Sequence, residues 1–131
     1  MDVFSIIVLI SGWIDKHLSF FLGGYDGPLC TLMILTALNY ITTVLCIISD
    51  RRNFVEIGLR TVFSKVLIFV IVGVSNILDL YILGYGRPLR TVILLFYISE
   101  EGVSILENAS HLGLPVPKGI KRILEQLKWD Q

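Results

Sequence analysis

The sequence predicts an all-α integral membrane protein of three to four hydrophobic helices followed by a short basic C-terminal helix. Composition, the placement of apolar residues and the turns between them support that class. Apolar residues make up 54% of the 131-residue chain and charged residues 17%, with a mean hydropathy of +0.77. Soluble domains hold about 45–50% apolar and about 25% charged residues. The apolar residues fall in long runs, which suits a bilayer better than a water-soluble core. Turn residues separate the runs, and with no repeat or long linker the chain reads as one membrane domain over 1–131, with runs at about 3–22, 29–48, 66–83 and 90–112.

The first run, Val3 to Ile14, is apolar but only twelve residues long. It reaches Leu22 only by including Asp15, Lys16 and His17. Met1-Asp2 supplies no basic n-region, and no small-x-small cleavage site follows, so a retained helix is expected rather than a secretory signal. Gly23-Gly24-Tyr25-Asp26-Gly27-Pro28 is turn chemistry. Leu29 to Ile48 is the firmest span, with twenty residues and no charge. At about 1.5 Å per residue it matches the roughly 30 Å hydrocarbon core.

Ser49 to Lys65 reads as a basic connector carrying Arg51, Arg52, Arg60 and Lys65. Val66 to Leu83 is the next span, eighteen residues broken only by Asp79. Gly84-Tyr85-Gly86-Arg87-Pro88 makes a second turn, and Thr91 to Ile98 opens a shorter run that continues into Glu100 and Glu101. Gly113-Leu114-Pro115-Val116-Pro117 stops that helix, because Gly caps and the prolines fix an extended exit. Lys118 to Trp129 resumes as a basic helix with Ile120, Ile123, Leu124 and Leu127 on one side. It reads either as an interfacial helix with Trp129 as anchor or as a solvated tail.

Eleven Lys+Arg balance eleven Asp+Glu, so no basic field argues for nucleic acid. The balance is a sum over unlike segments. A four-span topology with both termini cytoplasmic places eight basic residues inside and three outside, as the positive-inside rule prefers. A three-span topology keeps the tail on the same side, so the span count stays open.

Ionisable and amide groups at membrane depth each need a reason. Asp79 forms a small-polar stripe with Gly73 and Asn76, and Thr36, Asn39 and Thr43 form another on the preceding span. Such stripes pack against neighbouring helices more readily than they conduct. Asp79 either snorkels, pairs with Arg87 or Arg90, or lines a pore. Along the fourth run, Glu100, Ser104, Glu107 and His111 recur at helical spacing, while Val103, Leu106 and Ala109 take other faces. This is an amphipathic helix. Spacing alone favours an interfacial helix, and a stripe facing an aqueous lumen shared by several subunits is the alternative.

No catalytic chemistry is visible. His17 and His111 are far apart, so no metal cluster is expected. Cys30 and Cys46 are sixteen residues apart on one span, roughly 24 Å, which excludes a disulfide between them. No nucleotide, hydrolase or zinc motif occurs, and no enzyme or cofactor is expected.

The segment Phe96-Tyr97-Ile98-Ser99-Glu100-Glu101-Gly102-Val103-Ser104-Ile105-Leu106-Glu107-Asn108-Ala109-Ser110, with Leu112-Gly113-Leu114-Pro115-Val116-Pro117, resembles the signature of the phage lysis and toxin-secretion holin family. This bacteriophage holin family includes toxin-export holins of clostridia-like bacteria. The resemblance extends upstream through Arg90, Leu78-Asp79 and Gly58 to Lys65, covering roughly Leu29 to Leu127. Two departures stand out. Asn39-Tyr40-Ile41-Thr42-Thr43 replaces the family's Asp-Tyr-x-Thr-Gly, and Glu100 stands where Asn is frequent. The first removes an intramembrane carboxylate, so no role for it carries over.

The resemblance implies a membrane protein of a bacterium or prophage that forms homo-oligomers and permeabilises the cytoplasmic membrane. An endolysin or a large toxin without a signal peptide then leaves the cell. Glu100, Glu101, Ser104, Glu107 and Asn108 are the expected assembly or lumen residues, with Asn39, Asn76, Asp79 and Arg90 as bundle partners. A small multidrug-type transporter subunit is the rival reading. It calls for an acid in the middle of the first span, which Val3 to Ile14 lacks. A non-catalytic adaptor acting through the tail is a third.

Overall fold

The computed structural model describes residues 2–129, and within them the chain forms only helices and turns. The expected apolar side of Leu124 and Leu127, the basic side chains of Lys121 and Lys128, and the Trp129 anchor lie outside the described side chains. Five helices follow in order: α1 Val3–Leu22, α2 Gly27–Ser49, α3 Phe54–Leu78, α4 Pro88–His111 and α5 Lys118–Trp129.

Local chemistry sets their starts. Asp2, Asp26 and Asn53 each accept the N–H three residues on, from Ser5 at 2.8 Å, Leu29 at 3.1 Å and Glu56 at 3.2 Å. These bonds satisfy amide donors that the first turn of a helix leaves unpaired. α1 ends at Gly23, whose φ of 88° is the left-handed value of a helix C-cap. The last turn of α3 widens to π geometry over Asp79–Leu83 and closes with Gly84 N–H on Asp79 O at 2.8 Å.

α1 runs without a break through Asp15, Lys16 and His17 to Leu22. One boundary differs from expectation. α3 begins at Phe54, so the connector expected over Ser49 to Lys65 shrinks to residues 50–53. Charges at Glu56, Arg60 and Lys65 break the hydropathy without breaking the helix. Glu56 and Arg60 even pair at i, i+4 across 3.9 Å on its exposed face.

The helices run up and down. The turns at residues 23–26 and 84–87 meet at one end, where Arg87 Nη1 donates to Gly23 O at 2.7 Å. Asp50 and His111 meet at the other, 2.8 Å apart. α2 and α4 are therefore parallel and α1 and α3 oppose them. Three helices are long and apolar enough to cross a membrane: Val3–Leu22, Gly27–Ser49 and Phe54–Leu83. α4, with 24 residues and about 36 Å of length, packs beside α2 and α3 over the same depth.

An apolar core of Leu22, Leu29, Leu32, Ile68, Val72 and Leu94 fills the half of the bundle nearer the two turns. α1 joins it only through its C-terminal end, against α3. Phe21 lies over Gly73, where any Cβ would overlap its ring. The rest of α1 is bare, with Phe4 74% and Trp13 63% exposed, which suits a lipid-facing helix better than a water-facing one.

Candidate functional site

Two polar clusters bracket the apolar core. At the turn end, Arg90 is buried, 2% exposed, although it stands in the first turn of α4. Its Nε donates to Leu22 O at 2.7 Å and its Nη2 to Gly24 O at 3.0 Å. Nη1 and Nη2 reach Asp26 Oδ2 and Oδ1 at 2.8 and 3.2 Å, a fork-to-fork pair. The guanidinium holds the Asp26 carboxyl below the usual carboxylate range. Asn76 Nδ2 donates to Phe20 O and Phe21 O at 3.1 and 3.0 Å. Together Arg90 and Asn76 satisfy carbonyls that the end of α1 leaves open.

Gly23 is required here twice over. A Cβ would come within 2.5 Å of Arg90 Nε and 2.6 Å of Asn76 Oδ1, and the backbone is left-handed. Asn76 Oδ1 itself has no hydrogen-bond partner among the described residues.

Asp79 does not pair with a guanidinium, which corrects that expectation. Its Oδ1 and Oδ2 accept the main-chain N–H groups of Leu89 and Arg90 at 3.1 and 2.8 Å. Pro88 and the uncapped Arg87 leave α4 without a local N-cap, and the Asp79 carboxylate supplies one from the preceding helix.

The second cluster sits at mid-depth. Glu101, 2% exposed, receives Lys65 Nζ on both oxygens at 2.7 and 2.9 Å. Asn39 Nδ2 adds a third donor at 2.6 Å. Asn39 Oδ1 accepts Ser104 Oγ at 3.2 Å and Asn108 Nδ2 at 3.1 Å. Asn108 Nδ2 also approaches Thr42 Oγ1 and Thr43 Oγ1 at 2.9 and 3.2 Å, and Cys46 Sγ lies 3.6 Å from Asn108 O. An ion pair and amides buried among apolar helices persist only when so fully bonded. A cavity of about 550 Å³ borders this cluster, lined in part by Ser64, Glu100 and Tyr97. No group of three metal-ligating side chains occurs among the described residues.

The model of the bacteriophage holin family matches residues 16–129, which spans both clusters and all five helices in whole or in part. The chain belongs to the bacteriophage holin family. Holins are membrane pore-formers rather than catalysts, and this chain is a holin-like membrane protein. Among its relatives, a "Probable holin" of Bacillus phage phi105 is 31% identical over 108 residues, covering 79% of this chain and 78% of the relative. An uncharacterised 14.9 kDa protein from the nagH 3′ region of Clostridium perfringens is 40% identical over 105 residues, 80% of each chain. An uncharacterised protein of Halalkalibacterium halodurans is 33% identical over 117 residues, 86% of this chain and 87% of the relative. No solved structure matches.

Within this holin-like bundle the expected residues separate into groups. Asn76, Asp79 and Arg90 share the turn-end cluster, and Asn39, Glu101, Ser104 and Asn108 share the mid-depth one. Glu100 is half-buried beside the cavity, and Glu107 is exposed on α4. The α4 stripe that meets α2 is thus Glu101, Ser104, Asn108 and His111, one residue out of phase at Glu100 and Glu107. Asp15, in the second half of α1, is exposed and accepts Tyr25 O–H at 3.0 Å.

Sequence alone does not single out Lys65 or Asp26 as site residues. Lys65 ends a charged stretch that reads as connector, and Asp26 sits in a turn-forming sequence. A charge one residue before an apolar run, and an Asp two residues before Pro28, were the available signals.

Proposed function

We propose that this chain is a holin that accumulates in the bacterial cytoplasmic membrane, assembles with copies of itself and opens an aqueous lesion. Through it an endolysin, or a large toxin lacking a signal peptide, escapes. One observation carries the reading: a fourth helix whose polar face is folded inward against α2 and α3, in a bundle otherwise sheathed in apolar side chains. Apart from the exposed Glu107 and the half-buried Glu100 of α4, such a form turns mainly apolar side chains toward lipid. Turning or parting α4 presents Glu101, Ser104 and Asn108, a continuous polar face able to line water.

Arg51 and Arg52 of the 50–53 turn and Arg60 near the start of α3 lie toward the end opposite Arg87, and the basic tail leaves α4 from that same end, which supports a cytoplasmic C-terminus. Controlled expression in a bacterial host, following membrane potential and escape of a cytosolic reporter enzyme, tests the reading. A sudden depolarisation accompanied by enzyme release supports it. Intact cells with substrate-dependent proton flux would instead identify a transporter.

A further inference from the structure

We infer that Lys65 and Glu101 form a latch whose separation is the step that frees α4 for the permeabilising assembly. This rests on the holin reading above and adds the element that regulates it. Lys65 lies eleven residues past Phe54 in α3, Glu101 thirteen past Pro88 in α4, and Asn39 twelve past Gly27 in α2. All three fall near the middle of their helices, where an unpaired charge is costliest in a bilayer. Lys65 and Glu101 supply the one ion pair between membrane-depth side chains of α3 and α4 among the described residues. Asn39 then ties the same carboxylate to α2, so Glu101 is the point at which three helices meet.

The pair is strong only while dry. Separating it in a low-dielectric interior strands two charges, whereas in water the same separation costs little. The cavity of about 550 Å³ beside it is the route by which that environment changes. One wall, of Asn39, Ser64, Lys65, Glu100, Glu101 and Ser104, offers polar partners to water. The other is apolar with Leu67, Ile68, Ile71 and Phe96, and 20% of the Lys65 side chain is already exposed. Closed and dry or open and wet are then the two stable arrangements, with partial wetting between them disfavoured. The latch therefore makes opening abrupt instead of gradual.

Full-length protein is expressed from an inducible promoter, and the time to depolarisation is measured together with the amount of membrane-inserted protein. Lys65→Met and Glu101→Gln leave one partner without its ion pair and shift the closed-to-open balance by about 100-fold or more. Both should depolarise the membrane earlier and at several-fold lower protein level than wild type, and the exchange variant Lys65→Glu/Glu101→Lys should recover toward wild-type timing. Wild-type timing of the single variants at equal protein level overturns the latch while leaving the holin reading intact. A wild-type chain that never permeabilises overturns both.

Should the single variants fail to accumulate, a second measurement decides. Purified protein with Cys30 and Cys46 replaced by Ala, and with Thr43→Cys and Asn108→Cys, is reconstituted in dye-loaded vesicles and treated with a short reducible thiol cross-linker. Release that stops on cross-linking and returns on reduction supports separation of α4 from α2. Undiminished release from cross-linked protein overturns it.

Discussion

Asp79 holds Arg90 by its backbone and not by its charge. The Asp79 Oδ2 accepts the Arg90 main-chain N–H at 2.8 Å, while the Arg90 guanidinium points away to Asp26 and the end of α1. One residue is thereby fastened to three segments: its amide to α3, its side chain to α1 and to the cap of α2. The two interactions separate by mutation. Asp79→Ala removes a helix cap and should cost about 1–2 kcal/mol. Arg90→Met strands the carbonyls of Leu22 and Gly24 and should cost more, about 2–4 kcal/mol. Denaturant unfolding in detergent micelles, followed by circular dichroism, ranks them. The reverse order would mean that the guanidinium is incidental.

Gly73 and Phe21 form the contact that seats α1 on α3. Gly73→Ala drives a methyl into the Phe21 ring and should cost about 1–3 kcal/mol. The same substitution in a Phe21→Ala background should cost markedly less, because the obstruction is gone. Additive losses would show that the two residues do not act on each other.

Asn39 and Thr36 lie one turn apart on α2 and predict opposite outcomes. Asn39→Leu deprives Glu101 of a donor and Ser104 and Asn108 of their shared acceptor, a loss of about 1–3 kcal/mol. The Thr36 hydroxyl donates only to the carbonyl of Met33 in its own helix, so Thr36→Val should change stability by less than about 0.5 kcal/mol. Thermal unfolding in micelles compares them.

Asp26 sets an acid limit on the turn-end cluster. Its carboxyl is held below its ordinary value near 3.8 by the Arg90 guanidinium. A depressed carboxylate contributes stability that is present above the unfolded value and is lost as pH falls through the folded one. The end of α1 should therefore stay seated at neutral pH and loosen only below about pH 4. Hydrogen exchange at the amides of residues 20–25 checks this. In Asp26→Asn, the acid-dependent part of the change should disappear.

The helices were largely legible in the sequence because hydropathy and turn residues mark them. What escaped was the meaning of charges at their margins. Lys65 borders an apolar run and reads as connector, yet the cap at Asn53 carries α3 three turns further back, and Lys65 then falls at mid-depth. The polar residues of α4 divide between two adjoining faces: Glu100 and Glu107 fit the helical repeat as well as Glu101 and Asn108 do. Only packing against Asn39, more than sixty residues distant in sequence, separates the two sets. Local periodicity carries no information on such partners. The pairing of Arg90 with Asp26 was hidden for the same reason, since Asp79 and Arg87 are much nearer along the chain.

The central claim is that the face of α4 now folded against α2 comes to line water. A Ser104→Cys variant, with Cys30 and Cys46 replaced by Ala, tests it through reaction with a charged, water-soluble thiol reagent before and after the onset of permeabilisation. Ser104 lies against Asn39 in the closed bundle. Ser104 also borders the cavity of about 550 Å³, so the cysteine should be labelled slowly before onset and many-fold faster after it. A labelling rate that stays unchanged in fully permeabilised cells would contradict the account.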